Sequence, residues 1–367
     1  GGAEIPLAPD EALLAYFTAA GRLGALCRQG GRWWMARDLA AMTDVDRELS
    51  LFHYQMNARG LGHAESSARA RCSVERADAH LSRLSSLLLA PLHELAPTAR
   101  RLRVLPCGSL FRVPFPALRS GLGRLQDRFE VVLCAPLGPR TESARSERRG
   151  ACVVGFGDAG RDAIEEEARS VAEVLAAGGV DVSLHLGGAA RREVVAEAVR
   201  RSAVVHLCGH GMFRPQHPEF SALRLADGWL SARELVALPL AGVTAVLSGC
   251  ETGARAVAAG DEALGLSRGL LRAGASAVIS SLWRVDDRAT CQLMTGLYRH
   301  WNAAGRLGAG LRAVQIDRAS TDSDPYLWAP FGLFGNADAA WPGTEIVPHG
   351  PTSPLASSSG PISGGSS

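Results

Sequence analysis

Two stretches decide the fold: Ala203-Val204-Val205-His206-Leu207-Cys208-Gly209-His210-Gly211 and Val243-Thr244-Ala245-Val246-Leu247-Ser248-Gly249-Cys250-Glu251-Thr252-Gly253. Each is a mostly apolar run that stops at glycine beside a reactive side chain. Runs that are apolar at nearly every position, rather than at alternate ones, read as strands covered on both faces, as parallel strands usually are. Similar runs occur at Ala151-Cys152-Val153-Val154, Val182-Ser183-Leu184-His185-Leu186 and Ser276-Ala277-Val278-Ile279-Ser280. Between the runs lie segments of helical character, residues 162–177, 191–200, 231–238 and 261–273. Strands alternating with helices predict a largely parallel sheet with crossover helices, an α/β fold. In such sheets the working crevice lies beyond the carboxyl ends of the strands. His210 and Cys250 are therefore expected at that edge, and they converge if their strands are neighbours.

A thiol of ordinary pKa near 8.5 needs an adjacent imidazole to form thiolate, and the same imidazole can later protonate a leaving amine. Gly211 and Gly249 permit a sharp turn and a close backbone approach, so the N–H groups of Gly211 and Cys250 are candidates for an oxyanion hole. On the residues alone, a Cys and a His at separate strand ends are more often ordinary buried residues than a dyad, and both readings stand at this point.

Upstream, apolar residues from Glu11 to about Leu95 recur at helical spacing, and most of this region is expected to be helical. A short hairpin is the exception: residues 23–27 and 33–35 can pair around Gln29-Gly30-Gly31, although Gly24 weakens the first strand. Two β-like runs follow, residues 102–105 and 129–134, closed by Pro106 and Pro136. The charge-dense segment 139–150 reads as a linker between halves. The tail from Gly343 to Ser367 is rich in Pro, Gly and Ser and is expected to be disordered. The division is thus an N-terminal mixed α/β, non-catalytic half (1–145), a catalytic domain (146–342) and a tail (343–367).

With 367 residues, 47% of them apolar and 21% charged, the chain can bury real cores. Its net charge of +2 comes from basic residues scattered among acids, which offers no basic stripe for nucleic acid. No apolar run reaches the roughly 20 residues that span a bilayer, and the first residues do not form a signal peptide; a cytoplasmic location away from membranes is expected. The 8 cysteines show no close-spaced pairing, so reduced thiols are expected and structural zinc is not. No cofactor is expected.

The stretches around His210 and Cys250 resemble the active-site motifs of the CHAT family, caspase-like domains associated with TPR repeats that share a protease clan with caspases and separases. The similarity extends to residues 103–118, to Gly260-Asp261-Glu262-Ala263-Leu264-Gly265-Leu266 with Ala273-Gly274-Ala275, to Ser281-Leu282-Trp283-Arg284-Val285-Asp286-Asp287, and to residues 325–331. It covers about residues 80 to 340. The resemblance implies a caspase-like fold with an N-terminal pseudo-protease-like half. It further implies a cysteine endopeptidase with His210 as general base and Cys250 as nucleophile, acting on a protein or peptide. A partner or ligand activator and a role in bacterial defence or cell death belong to the same implication. His206, mid-strand, is then a hydrogen-bonded core residue, and Cys208 and the remaining cysteines are small core hydrophobes. Tandem repeats of about 34 residues are not visible in the first half.

For substrate recognition the candidates are Asp287, Asp286 and Trp283. By similarity to separases, a carboxylate there can pair with Arg or Lys at the cleavage position. Helix capping is the competing use of these aspartates, since a helix is expected to start there and run to Trp301. Glu251 beside the nucleophile is a lesser candidate. Gly155-Phe156-Gly157-Asp158-Ala159-Gly160 matches a dinucleotide fingerprint only formally, because no acid ends the next strand. The rival from another class is a non-catalytic, protease-like scaffold that recruits a partner; the presence of both dyad residues and their glycines argues against it.

Overall fold

The computed structural model describes residues 6–60, 67–94, 98–121, 123–134, 148–157, 162–212, 220–251 and 261–343. The segment read as a linker lies mostly outside these residues. So do the tail and the second half of the glycine-rich turn at Gly155.

The chain opens with strands β1 (Glu11–Ala19), β2 (Arg22–Gln29) and β3 (Arg32–Ala41), followed by helices α1 (Met42–Gly60) and α2 (Ser67–Leu88). This corrects the expectation of helix from Glu11 onward. Every residue from Glu11 to Leu14 is buried, because β1 lies between β2 on one side and β4 (Arg101–Leu105) on the other. A strand packed on both faces is apolar at consecutive positions and mimics a buried helix in periodicity. The expected hairpin is present, with Gln29 opposite Arg32. The register shifts between Leu23 and Ala25, where Gly24 gives the Phe17 ring room that a Cβ would fill at 2.4 Å.

A short hairpin β5 (Arg119–Ser120) and β6 (Gly123–Arg124), helix α3 (Leu125–Arg128) and strand β7 (Glu130–Leu133) complete the first half. The second half follows the sequence reading closely. It runs β8 (Ala151–Phe156), α4 (Asp162–Ala177), β9 (Val182–Leu186), α5 (Arg192–Arg201), β10 (Val204–Met212), β11 (Ala222–Leu225), β12 (Gly228–Ser231), α6 (Ala232–Val236), β13 (Thr244–Leu247), β14 (Cys250–Glu251), α7 (Asp261–Arg272) and β15 (Ala277–Ser281). It closes with α8 (Asp287–Ala304), α9 (Leu307–Thr321), α10 (Pro325–Trp328) and β16 (Phe331–Gly335).

Strands β9, β8, β10, β13 and β15 are all parallel, as the crossover helices require. Antiparallel β16 follows, and among the described residues it meets β7 through one bridged pair, Phe334 with Leu133. Beyond β7 come β4 and β1, both parallel to it, then the antiparallel β2 and β3. One sheet therefore runs through both halves.

The single-pair seam is clasped by ions. Arg101 reaches Glu11 at 2.7 Å, Glu130 at 2.9 Å and Asp338 at 2.7 Å, and Arg306 reaches Glu130 at 3.1 Å and Asp338 at 2.9 Å. Glu11, Arg101 and Glu130 each begin their strand. Asp338 follows β16, whose last residue Gly335 pairs with Ala277 at the start of β15. The clasp thus occupies the edge of the sheet where the parallel strands begin. Burial alone would raise the Asp338 carboxyl, but hydrogen bonds from Arg101 and Arg306 hold it below the ordinary value.

Candidate active site

At the opposite edge, β10 outlasts its ladder with β13 and continues beside β14. His210 stands in register with Cys250, and Gly211 with Glu251. The ladder below pairs Leu207 with Leu247, so the register is unchanged across the interruption at Ser248-Gly249. Directly paired positions in a parallel sheet stand roughly 4.8 Å apart and on the same face. Gly211 also pairs with Leu223 of β11, so the end of β10 is flanked by strands on both sides. His210 is buried at 3% exposure.

Glycine is a steric necessity at 249, and at 209 a side chain would be tight. A Cβ on Gly249 would lie 2.6 Å from the carbonyl oxygen of Gly209, and one on Gly209 would lie 3.2 Å from that of Phe156. Only glycine lets these two backbones approach so closely at the point where β13 gives way to β14.

Below the dyad positions, on the same face of β10, lies a buried polar cluster. His206 is fully buried, its Nε2 is 3.0 Å from Glu167 Oε1 on α4, and its Nδ1 is 3.1 Å from the hydroxyl of Tyr298 on α8. Ser248 Oγ is 3.5 Å from the same Nε2 and 3.4 Å from the Leu207 carbonyl oxygen. The Cys208 thiol joins Glu167 and Ser248. Burial, reinforced by the Glu167 charge, pushes that thiol well up.

Glu167, His206 and Cys208 bring an oxygen, a nitrogen and a sulfur within 4.8 Å of one another, a spacing that could hold a metal ion. Their hydrogen bonds satisfy them without one. Nε2–H donates to the carboxylate, Nδ1 shares a hydrogen bond with the Tyr298 hydroxyl, and the buried thiol is kept in its protonated form, which is not the ligand form. The expectation that His206 is a hydrogen-bonded core residue agrees with this arrangement. Its partner was not foreseen. The readable signal was Glu167 itself, an acid four residues before Val171 on the buried stripe of α4 that also carries Ile164, Ala168 and Leu175.

The residues proposed for substrate recognition separate in the structure. Asp286 caps α8, its carboxylate accepting from the N–H groups of Arg288 and Ala289, each at 3.0 Å. Asp287, half-buried, is the first residue of that helix. Trp283 is buried, with its ring edge-on to Phe52 and His53 of α1 at 5.5 and 5.9 Å between centroids. It thus joins the loop ahead of α8 to the first half. His53 donates from Nε2 to the Arg112 carbonyl oxygen at 3.0 Å, and burial followed by the Arg112 charge lowers its pKa to about 3.

The chain matches the CHAT domain over residues 78–336. It belongs to the CHAT-domain family. Comparison with curated protein sequences finds no match. Among solved structures, this CHAT domain resembles the Saccharomyces cerevisiae separase in two separase–securin complexes. One has a TM-score of 0.59 at 9% identity and the other 0.57 at 10%, each likeness covering 89% of this chain and 30% of that one. It also resembles the Arg-specific cysteine proteinase gingipain R, with a TM-score of 0.50, 8% identity, and coverage of 82% of this chain and 75% of that one. The fold is therefore that of the caspase-like cysteine proteases, a central, mostly parallel sheet flanked by helices. Among the described residues no helix is long and apolar enough to cross a membrane.

Proposed function

We propose that this CHAT domain is a cysteine endopeptidase that cleaves a partner protein. The observation carrying this reading is the register of His210 with Cys250 on adjacent strands at the carboxyl edge of a protease-type sheet. In the proposed reaction Cys250 sulfur bonds to the scissile carbonyl carbon as its proton passes to His210. The backbone N–H groups of Gly211 and Cys250 hold the oxyanion. The C–N bond then breaks, with His210 returning the proton to the leaving amine and a thioester remaining on Cys250. Water, deprotonated by His210, releases the carboxylic acid and restores the thiol.

Asp287 is the proposed acidic partner of Arg or Lys at the cleavage position, a reading consistent with the cap role already filled by Asp286. Trp283 supports that loop from beneath. The proposal extends to a cytoplasmic protease held back until a partner or ligand aligns the site, in bacterial defence or cell death, with neither nucleic acid nor membrane as its target.

The test is cleavage of a fluorogenic peptide panel varied at the residue before the scissile bond. Wild type should cleave after Arg or Lys, and Cys250→Ala and His210→Ala should each lower the rate at least about a thousandfold. Cleavage that survives both substitutions would overturn the assignment. Cleavage after other residues would retain the dyad and remove Asp287 from the pocket.

A further inference from the structure

Between β13 and β14 the backbone ladder to β10 is interrupted. It pairs Leu207 with Leu247 and resumes at His210 with Cys250. Across the gap, a backbone hydrogen bond from Ser248 N–H to the Leu207 carbonyl, at 3.1 Å, joins the two strands. On its other side β10 is held at this level by the β8 ladder, Cys208 with Gly155 and Gly209 with Phe156, and side chains add to that fixation toward β13 and β14. Ser248 stands two residues before Cys250, and His206 and Cys208 stand four and two residues before His210. Alternation along a strand places 206, 208 and 210 on one face. That face is covered by α4 and α8, which supply Glu167 and Tyr298.

The protonation of His206 Nε2 is fixed by its partner. Carboxylate oxygen accepts only, so the Nε2 facing Glu167 carries a proton and donates to it, while Nδ1 shares a hydrogen bond with the Tyr298 hydroxyl. Bonded at both ring nitrogens, the imidazole has one ring orientation. Tyr298 lies on the helix that starts at Asp287, so α4, β10, the β13–β14 junction and the helix of the proposed pocket meet at one ring.

We propose that Glu167 is a positioning residue for the dyad: by fixing His206 across the interrupted ladder, it sets the placement of His210 relative to Cys250. The inference rests on the peptidase reading, and its test can fail separately from that reading. Glu167→Gln keeps an oxygen to accept from Nε2–H, whereas Glu167→Ala removes it.

The probe is iodoacetamide, with adducts at Cys250 quantified by mass spectrometry between pH 5 and 10, together with kcat and KM on the best peptide of the panel. In wild type the Cys250 profile should lie well below that of an unassisted thiol, near 8.5. Glu167→Ala should move it upward by at least about one unit and lower kcat by about ten- to a hundredfold with KM within twofold. Glu167→Gln should stay close to wild type. Leu84→Ala, a cavity in the buried face of α2, serves as a control that lowers the melting temperature without moving the profile.

The positioning role is overturned if Glu167→Ala loses melting temperature yet keeps the wild-type thiol profile and kcat, or if Glu167→Gln falls as far as Glu167→Ala. A wild-type profile near that of a free thiol, with no cleavage, would instead overturn the peptidase reading.

Discussion

The two halves of the sheet are built from the same pieces, adjacent parallel strands with helices against them, and each carries a polar cluster, the two at opposite edges. In the first half the polar residues are Glu11, Arg101 and Glu130, each the first residue of its strand, and they bind one another and the Arg306–Asp338 pair. In the second half they are His206, Cys208 and His210, toward the carboxyl end of β10. At the carboxyl ends of β4 and β7 the first half offers Cys107 and Cys134 without a histidine in register among the described residues. Opposed full charges at one edge lock strands together. At the other edge the groups are joined by hydrogen bonds through His206 rather than by arginine ion pairs. The difference teaches that in this fold the strand order supplies the frame, while the edge at which polar residues are placed sets a half clasped by ion pairs apart from the half that carries the candidate site.

The sharpest way to break that contrast is to remove the centre of the clasp. Arg101→Met leaves Glu11 and Glu130, both largely buried, short of a partner, and should cost about 3–5 kcal/mol in denaturant unfolding. Any surviving folded protein should show an unchanged pH profile of Cys250 labelling, since the clasp is at the far edge. A shifted profile would mean that the two edges are coupled.

The next effect tests the catalytic edge alone. Gly249→Ala places a methyl group 2.6 Å from the Gly209 carbonyl oxygen, which forces the strands apart beside Cys250. Cleavage should fall about a hundredfold with much less effect on unfolding. Loss of stability and activity in proportion would show that the close approach is a feature of the whole sheet rather than of the site.

The smallest expected effect probes the joint between halves. His53 binds no proton in the folded state until about pH 3, whereas in the unfolded chain it protonates near 6.5. The unfolded state therefore gains protons first as pH falls. Stability is fully present above pH 6.5 and declines toward 3, by about 2 kcal/mol between pH 7 and 5. His53→Phe should flatten this part of the urea-unfolding curve against pH, and an unaltered slope would place the titration elsewhere.

Much of this was legible in the residues. From Ala151 onward the alternation of apolar runs and amphipathic segments was strong, and α4 and β9 fall at the expected positions. The start of the chain was not, because Leu13, Leu14, Ala15, Tyr16 and Phe17 are good residues for either a buried helix or a doubly covered strand. Pairing with Arg101–Leu105 of β4, far along the chain, made the choice. At the site, glycine beside His210 and Cys250 marked the strand ends, while the register that pairs them depends on long-range neighbours that no local pattern encodes. Glu167 could be read as an acid on the apolar stripe of α4, but its pairing with His206, like that of Tyr298, could not, since they are 39 and 92 residues from His206 in sequence.

The measurement that bears most directly on the dyad is labelling with a peptidyl-arginine chloromethyl ketone followed by peptide mapping. The account predicts a single rapid adduct at Cys250 in wild type that is lost in His210→Ala, although the thiol is still there. Equal labelling of the two proteins, or an adduct at another of the cysteines, would contradict it.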